Sequence, residues 1–307
     1  MKKLTLLIAV LALGLFFVSC NKEGQFNPKN KIDRIYHSST YKHEVNVLGE
    51  WEISETEDQP KYVSEIWNWE GKVLKSISYY NSEGRLDNTE NFEYDGKRLV
   101  AISREGESDR WVLNYEKGKL SSMEFFEGSN KMISYEITHD KGKISEMKLN
   151  FFSSKKAAMA MFPMNALRFF IPAASTENMM MAMAKITEKH TTKDVYTINI
   201  KIEWDGKNIS KEIFSIGTDT DTYEFTYDQK LNPYYGLFDI GENSSEVVMS
   251  KNNVTQYVHR DSDNGYSEQK YTYTYDGNLP STKYETYSYG ADIDRYTYTN
   301  TYYYEYK

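Results

Sequence analysis

A short motif recurs along most of this chain and limits what the chain can fold into. An apolar residue is followed two places later by an aromatic one, then by an acidic residue, a glycine–lysine pair and another apolar residue. Clear copies cover residues 67–74, 92–99, 113–120, 137–144 and 202–209, with weaker copies at 225–231 and 273–279. An internal repeat predicts one supersecondary unit used many times.

Each copy has the chemistry of a β-hairpin. The apolar and aromatic positions are two residues apart, so both face the same side of a strand. Asp-Gly or Glu-Gly supplies the positive φ angle of a tight turn, and the next apolar residue begins the return strand. Where a lysine intervenes, as in Glu116-Lys117-Gly118, we expect a loop that is one residue longer. Further turns are predicted at 105–108, 127–130 and 263–265, and a degenerate copy at 247–254.

The repeat predicts an all-β fold, an extended or curled antiparallel sheet of hairpins with a period of about 23 residues. This β-repeat domain covers residues 31–307 and is interrupted by a Met/Ala-rich insertion at 153–190. Within the insertion we expect short helices at 157–162 and 178–186, because prolines break the path between them. If the methionines and phenylalanines of the insertion were left exposed, they would form a large apolar patch. We therefore expect the insertion to fold back onto the sheet, with membrane or partner contact as the alternative.

The N-terminus predicts export and lipid attachment. Residues 1–19 combine two lysines with an apolar run of signal-peptide length, shorter than a membrane span requires. The tetrad Phe17-Val18-Ser19-Cys20 resembles the bacterial lipobox, in which the cysteine receives a diacylglyceryl thioether; an ordinary cleaved signal is the alternative. Cys20 is the only cysteine, so it cannot form an internal disulfide. Residues 20–30 are predicted to be a lipidated flexible tether.

The same residues favour the outer membrane. Asn21 is not the aspartate associated with inner-membrane retention in enteric bacteria, and the periplasmic face and the cell surface remain alternatives. The chain also resembles a group of Bacteroidetes lipoproteins of unassigned function, in which a lipobox precedes Tyr-Asp-type β repeats. Tyr227-Asp228 followed by Asn232-Pro233-Tyr234 is similar to a Tyr-Asp…Asn-Pro-aromatic segment of that group. The resemblance implies a fold and carries over no functional residues.

Charge and composition limit the expected partners. Without residues 1–19 the chain keeps 35 basic against 45 acidic residues, with no block of like charges. Such a surface predicts no nucleic-acid partner. The membrane is the expected partner, through the lipid, and a glycan or another envelope protein is a further candidate. No cofactor is expected, and the oligomeric state is left open.

No residue pattern predicts catalysis or a metal site. Histidines 37, 43, 139, 190 and 259 lack metal-ligand spacing, and His139 takes the aromatic position of the repeat. Acidic residues cluster at 219–221 and 261–265; the second cluster, followed by Glu268, matches a calcium loop poorly, and a hairpin turn is expected there. Carboxylates of the repeat fall in separate turns, which disfavours a carboxylate-dependent hydrolase. We expect a non-enzymatic binding or structural protein, with a glycan-binding accessory protein of an uptake system as the alternative.

Tyrosines crowd the last part of the chain. Alternation in 271–275 places tyrosine on one face of a strand and threonine on the other. The tyrosines could form a platform for a glycan or partner protein, or cross-strand ladders worth a few tenths to about 1 kcal/mol per pair, which we favour. The candidate binding aromatics are Tyr271, Tyr273, Tyr275, Tyr287, Tyr289, Tyr296 and Tyr298.

Substitution of Cys20 tests the lipid anchor. Cys20→Ala removes the only thiol that can carry the thioether, so we expect a soluble or unprocessed protein. Mass spectrometry of the N-terminal peptide and membrane fractionation measure this outcome. An unmodified Cys20 in membrane-bound wild-type protein would contradict the anchor.

Overall fold

The computed structural model describes residues 23–152, 197–237, 247–261, 265–290 and 294–307, without the side chains of Ile216, Tyr289 and Gly290. Signal peptide, Cys20 and the insertion at 153–190 with its two predicted helices lie outside the described residues. No helix in the described ranges is long and apolar enough to cross a membrane. The described strands are β1 Ile32–Val47, β2 Glu50–Glu70, β3 Val73–Tyr80, β4 Leu86–Asp95, β5 Arg98–Arg104, β6 Asp109–Glu116, β7 Lys119–Glu127, β8 Asn130–Asp140, β9 Lys143–Phe151, β10 Thr197–Asp205, β11 Asn208–Ile216, β12 Asp219–Leu231, β13 Asn252–Arg260, β14 Tyr266–Asp276, β15 Leu279–Gly290 and β16 Asp294–Tyr306.

These strands form one closed antiparallel barrel in which each strand pairs with its neighbours along the chain. The ring closes because β1 pairs with both β2 and β16, the latter from Ile32↔Tyr306 to Val45↔Asp294. The predicted all-β antiparallel class is confirmed. The prediction of an extended or curled sheet is wrong, since closure satisfies the backbone groups that open edges would leave unpaired.

The repeat forms the predicted hairpins, with one correction to their turns. Asp95 pairs with Arg98 across a two-residue loop in which Gly96 has a φ of 62°. Glu116 pairs with Lys119, so the loop in the Lys-Gly copy also has two residues and not three. Lys117 itself adopts a positive φ of 49° ahead of Gly118, as a type I′ turn requires. Six such turns define what we call the turn end of the barrel: 71–72, 96–97, 117–118, 141–142, 206–207 and 277–278.

A β-bulge follows each of these turns and resets the alternation of the return strand. In the first hairpin Trp69 pairs with Leu74 but Asn68 pairs with Ser76, so Lys75 is the extra residue. The register shifts at the aromatic position in five more hairpins, at Tyr94, Tyr115, His139, Trp204 and Tyr275. At a bulge, two residues of the return strand lie opposite one residue of its partner strand. The residue that pairs with the aromatic position (Leu74 in the first hairpin) and the third residue after it therefore face the same side of the sheet. Leu74 and Ile77 accordingly are both fully buried.

Polar tips of the aromatic residues join successive hairpins. The Tyr115 hydroxyl donates a hydrogen bond of 2.8 Å to the Leu99 carbonyl of the preceding hairpin. The Trp204 indole N–H donates likewise to the Ile144 carbonyl at 2.7 Å. The basic residue just before the accepting residue lies over the same aromatic ring. Arg98, which precedes Leu99, has its guanidinium 4.7 Å from the centroid of the Tyr115 ring. The aromatic position therefore packs inward and also links one repeat to the next.

Inward and outward faces of the barrel have opposite character. Inward side chains are apolar and enclosed, and those with 1% exposure or less include Trp67, Leu74, Ile77, Ile102, Trp111, Leu120, Met123, Tyr135 and Leu149. Outward positions on the same strands are polar and exposed, among them Asn114, Glu136, Lys148, Lys201 and Glu224. A round ring of 16 strands encloses a water-filled lumen. Here the inward side chains pack against protein atoms, so the described interior is a core.

Two predicted copies of the repeat do not form hairpins. β12 runs without a turn through 225–231, because Gln229-Lys230 offers no glycine for a positive φ. The degenerate copy at 247–254 begins as a loop, and β13 starts only at Asn252. Tyr234, in the loop that follows β12, packs on Trp67 with ring centroids 5.8 Å apart. This connection therefore covers the turn end from within.

Part of the predicted flexible tether also packs at the turn end. Phe26 is 8% exposed and lies 6.5 Å from the Trp67 ring and 5.8 Å from the Trp69 ring, measured between centroids. The Gly24 carbonyl accepts a hydrogen bond of 2.9 Å from the Leu99 amide. Residues 24–26 of the tether predicted for 20–30 therefore contact the barrel.

One core position holds a carboxyl group. This position lies three residues after the one that pairs with the aromatic residue of the hairpin. It is Ile77, Ile102, Met123 or Met147 in four hairpins and Glu212 in β11. Glu212 is 0% exposed, and neither carboxyl oxygen has a hydrogen-bond partner among the described residues. Burial raises the pKa of Glu212 well above its ordinary value. The folded protein therefore favours the protonated carboxyl at this position.

Removing the hydroxyl of Tyr115 tests the link between hairpins. Tyr115→Phe leaves the Leu99 carbonyl without its donor and should lower the free energy of unfolding by about 0.5–1.5 kcal/mol. Urea denaturation of residues 21–307 followed by circular dichroism measures the change. Tyr284→Phe is the control, since Tyr284 is exposed on the outer face of β15. Equal effects of the two substitutions would contradict a specific role for the Tyr115 hydroxyl.

Substitution of Glu212 tests the buried carboxyl through its pH dependence. Because the folded-state pKa is raised, wild-type stability is complete below the unfolded pKa near 4.5 and falls as pH rises above it. Each unit by which the folded-state pKa exceeds the unfolded-state pKa lowers the free energy of unfolding at high pH by about 1.4 kcal/mol. Glu212→Met should be more stable than wild type at pH 8, with a smaller difference at pH 4.5. Glu93→Gln, on the exposed face of β4, should leave the pH profile unchanged.

Candidate functional site

Four adjacent strands continue past their neighbours at the end opposite the turn end. β3 pairs with β2 only over Glu65–Glu70, and β14 pairs with β15 only as far as Glu285. Beyond those points β15, β16, β1 and β2 still pair with one another, as in Tyr287↔Tyr298 and Tyr41↔Glu57. We call residues 38–47, 50–62, 286–290 and 294–300 the four-stranded extension. It projects from the ring, and no described strand pairs with its outer edges on β2 and β15.

One face of the extension carries a row of stacked rings. Residues directly opposite on neighbouring strands share a face, and the ladder pairs Tyr41 with Tyr298 and His43 with Tyr296. The Tyr41 and Tyr298 centroids are 4.8 Å apart. The His43 ring lies 4.5 Å from Tyr296 with an interplanar angle of 6°. We call Tyr41, His43, Tyr296 and Tyr298 the aromatic strip.

Hydrogen bonds on both sides fix the His43 ring. Nε2 lies 3.0 Å from Asp294 Oδ1, and Nδ1 lies 2.7 Å from Ser54 Oγ. With the proton on Nε2, His43 donates to Asp294 and accepts from Ser54. The Ser54 hydroxyl also lies 3.2 Å from the His43 carbonyl. These contacts hold the ring flat against Tyr296 and so shape the strip.

The aromatic strip continues into the ring through His37. His37 stacks on Tyr302 with centroids 5.0 Å apart, and its two nitrogens lie 3.0 Å from the Tyr62 hydroxyl and 3.2 Å from Asn300 Oδ1. Burial lowers the pKa of His37, although the Asn300 bond and the charge of Glu285 act in the opposite direction. A neutral imidazole satisfies both contacts, accepting from Tyr62 and donating to Asn300.

A buried ion pair lies at the base of the strip. Lys283 Nζ is 2.8 Å from Glu285 Oε1, and both side chains are 2% exposed. The Lys283 ammonium lies 4.7 Å from the Tyr271 centroid and 5.7 Å from that of Tyr302. Glu285 Oε2 also accepts a hydrogen bond of 3.0 Å from Tyr287. In the repeat, the position of Lys283 is held by Ile77 in the first hairpin, so charge has replaced an aliphatic core residue.

The predicted binding tyrosines separate into two groups. Tyr271, Tyr273 and Tyr275 face the interior: Tyr271 is 4% exposed, and the hydroxyls of the other two bond to the Val254 carbonyl and Asp228. These three form packing ladders and no platform. Tyr296 and Tyr298 belong to the strip, and Tyr298 is 38% exposed.

Tyr287 and Tyr289 lie on the strand next to that pair. Tyr287 is half-buried at the edge of the strip, held by its bond to Glu285. Tyr289 pairs with Tyr296 through its backbone, and its side chain is not described. The strip thus has Tyr287 as its neighbour on β15.

The remaining histidines and acidic segments are structural where described. His139 Nε2 lies 2.9 Å from Glu23 Oε1, and His259 stacks on Tyr223 with centroids 4.5 Å apart. In 261–265 the Asp261 carboxylate accepts from the Gly265 amide, while Glu268 pairs with Lys270 and accepts a bond from Tyr266. Among the described residues no group of three or more His, Cys, Asp or Glu side chains could hold a metal ion. His190 lies outside the described ranges.

Sequence reasoning missed the contribution of β1 to this face. The three rings on this strand, Tyr41, His43 and His37, contact residues more than 250 positions later in the chain. No local sequence pattern predicts such a contact. A signal for the ion pair did exist. Lys283 and Glu285 stand where most other copies of the repeat have apolar residues, and aligning the return strands would have revealed them.

No protein-family model matches this chain, and no curated protein matches it. Several solved structures are similar to it, and two of them are porin-like proteins. A porin-like protein from Bacteroides uniformis ATCC 8492 is 11% identical, with a TM-score of 0.46 over 93% of this chain and 100% of that one. A porin-like protein from Bacteroides vulgatus ATCC 8482 is 10% identical, with a TM-score of 0.40 over 80% of this chain and 98% of that one.

Proposed function

We propose that this protein is a non-enzymatic, lipid-anchored binding protein of the outer membrane, and that its ligand is a saccharide chain contacted by the aromatic strip. The observation that carries the proposal is the partly exposed row of rings on a sheet that projects from the barrel. An anchor at Cys20 would hold the barrel at the membrane while leaving the extension in water. The lipobox-like tetrad at 17–20 supports that anchor.

The polarity of the wall supports anchoring by lipid over crossing of the bilayer by the strands. A barrel that crosses a membrane carries an apolar band on its outside and polar residues within. This barrel has the reverse arrangement, with Glu136, Lys148 and Lys201 exposed outside and a closed apolar core inside. Burying such outward charges in hydrocarbon costs about 2–4 kcal/mol for each lysine or arginine at the midplane. A pore along the barrel axis is likewise disfavoured, because fully buried side chains fill the described interior.

The chemistry of the strip favours a saccharide. Tyrosine and histidine rings offer flat apolar faces with polar edges, which suit the apolar faces and hydroxyl groups of sugar rings. Hydrogen-bonding groups border the rings: Gln59 and Ser39 pair across β1 and β2, and Glu55 and Glu57 are exposed on the next strand. The hydrogen bonds of His43 hold the ring before any ligand arrives. Such preorganisation reduces the entropy cost of binding.

The buried carboxylates do not support a hydrolase. Glu65, Glu90, Glu212 and Glu285 are 0–5% exposed, so a substrate cannot reach them in this conformation. Glu65 accepts from the Trp67 indole at 2.8 Å, and Glu285 pairs with Lys283. The chain Ser54–His43–Asp294 does connect a hydroxyl, an imidazole and a carboxylate. In the proposed function it positions the ring against Tyr296.

Alanine substitution within the strip tests the proposal. Residues 21–307 are screened on a glycan array, and the best hit is measured by calorimetry. Tyr298→Ala removes a ring of the strip that packs against Tyr41 and should weaken binding at least tenfold, equivalent to about 1.4 kcal/mol. Tyr284→Ala is the matched control, because Tyr284 is similarly exposed, at 36% against 38%, but lies on the opposite face.

Three outcomes would contradict the proposal. The first is an array without hits, and the second is equal loss of binding in Tyr298→Ala and its control. The third is release of smaller saccharides during incubation, abolished by Ser54→Ala, which would identify an enzyme.

A further inference from the structure

The described N-terminus crosses the turn end of the barrel and is held there. Glu23 Oε2 accepts a hydrogen bond of 2.6 Å from the Leu120 amide, and Glu23 Oε1 lies 2.9 Å from His139 Nε2. His139 takes the place of the tyrosine or tryptophan that joins hairpins elsewhere, and Glu23 bridges the gap at this hairpin. Glu23 therefore makes, at this hairpin, the link that the aromatic residue of the repeat makes at the others.

The next residues continue the attachment toward β1. Gly24 lies so close to the Tyr115 hydroxyl that a Cβ added there would come within 2.1 Å of it. The Gly24 carbonyl bonds to the Leu99 amide, and Phe26 is buried beside Trp67 and Trp69. Residues 23–26 thus contact four hairpins before β1 begins at Ile32.

This attachment sets how far Cys20 can lie from the turn end. Cys20 lies three positions before Glu23, and a fully extended chain spans about 3.6 Å per residue. The chain before Glu23 can therefore place the Cys20 Cα no further than about 11 Å from the Glu23 Cα. Glu23 itself contacts the start of β7 and the end of β8, so a lipid on Cys20 keeps the membrane close to the turn end as long as the Glu23 contacts persist.

The outermost residues of the turn end are basic. Five of the six two-residue turns contain a lysine, the lysines being Lys72, Lys97, Lys117, Lys141 and Lys207. An exposed Asp or Glu precedes each turn, and Arg98, Lys119 and Lys143 follow three of them, so the six four-residue turn segments together carry eight basic and six acidic residues. At the opposite end the described loops 81–85 and 105–108 contain three glutamates and one arginine. Lysine near an anionic bilayer surface contributes about 1 kcal/mol to binding.

We propose that the turn end of the barrel lies against the bilayer that carries the Cys20 lipid, with the turn lysines contacting anionic lipid headgroups. The proposal rests on the lipid anchor of the proposed function. It adds an orientation, in which the four-stranded extension points away from the membrane. The anchor holds the aromatic strip about one barrel length above the lipid surface.

Energy transfer from labelled cysteines tests the orientation in the intact lipidated protein. Cys20 is the only natural cysteine and its sulfur is blocked by the lipid, so an introduced cysteine is the single free thiol. Lys97→Cys labels the turn end and Glu52→Cys labels the extension, both at exposed positions. Each variant is placed in vesicles of phosphatidylethanolamine and phosphatidylglycerol that contain an acceptor-labelled lipid. We expect at least twofold higher transfer from position 97 than from position 52.

Vesicle flotation separates failure of the anchor from failure of the orientation. Protein that does not float with the vesicles lacks the anchor, which overturns the proposed function and the orientation with it. Protein that floats but gives equal transfer, or higher transfer from position 52, overturns the orientation alone.

A triple substitution tests the lysine contacts. With the label at position 97, Lys117→Gln, Lys141→Gln and Lys207→Gln together should lower transfer in the anionic vesicles and leave it unchanged in neutral ones. Equal transfer with and without the substitutions in both vesicle types would overturn headgroup contact through these lysines.

Discussion

Pairing of the first strand with the last is the contact on which the whole fold depends. β1 lies between β2, its neighbour in the chain, and β16, whose residues come 249 to 274 positions after their β1 partners. Without it, both strands would be open edges, and a sheet of this size would have no defined inside. With it, every hairpin gains one face toward the core and one toward water. The stacked rings of the extension also exist only because β1 and β16 lie side by side.

The hairpins were predictable because their signals are local. Asp95-Gly96 and Lys117-Gly118 set the turn within a few residues, and the structure places turns at both sites. Where glycine is missing, at Gln229-Lys230, the strand continues and the prediction is wrong. Closure of the sheet was not predictable, because strands with the same alternation can pair into an open or a closed sheet. The bulges were hidden for a related reason, since a shift in register appears only when both strands are seen.

The residues of the candidate site were likewise predictable only where the sequence carries a local signal. Tyr296 and Tyr298 stood out in the sequence as members of a tyrosine-rich segment, and both contribute to the strip. Their partners on β1 did not stand out, because a lone histidine carries no pattern. Tyr271 was in the same candidate group and proved to be a core residue. Alternation showed which residues share a face, but only the closed ring shows which face is inside.

Ring closure also has a consequence for how the protein is made. The chain is synthesised from its N-terminus, so β1 is made first and has no partner on its β16 side until β16, the last described strand, is complete. Contacts this distant in sequence form slowly, and unpaired strand edges invite aggregation while they wait. A chain interrupted before Asp294 would hold fifteen strands whose first and last edges have nothing to pair with. Folding therefore competes with association: the first strand must stay unpaired on one side until the last thirteen-residue strand is made, or it pairs with another chain.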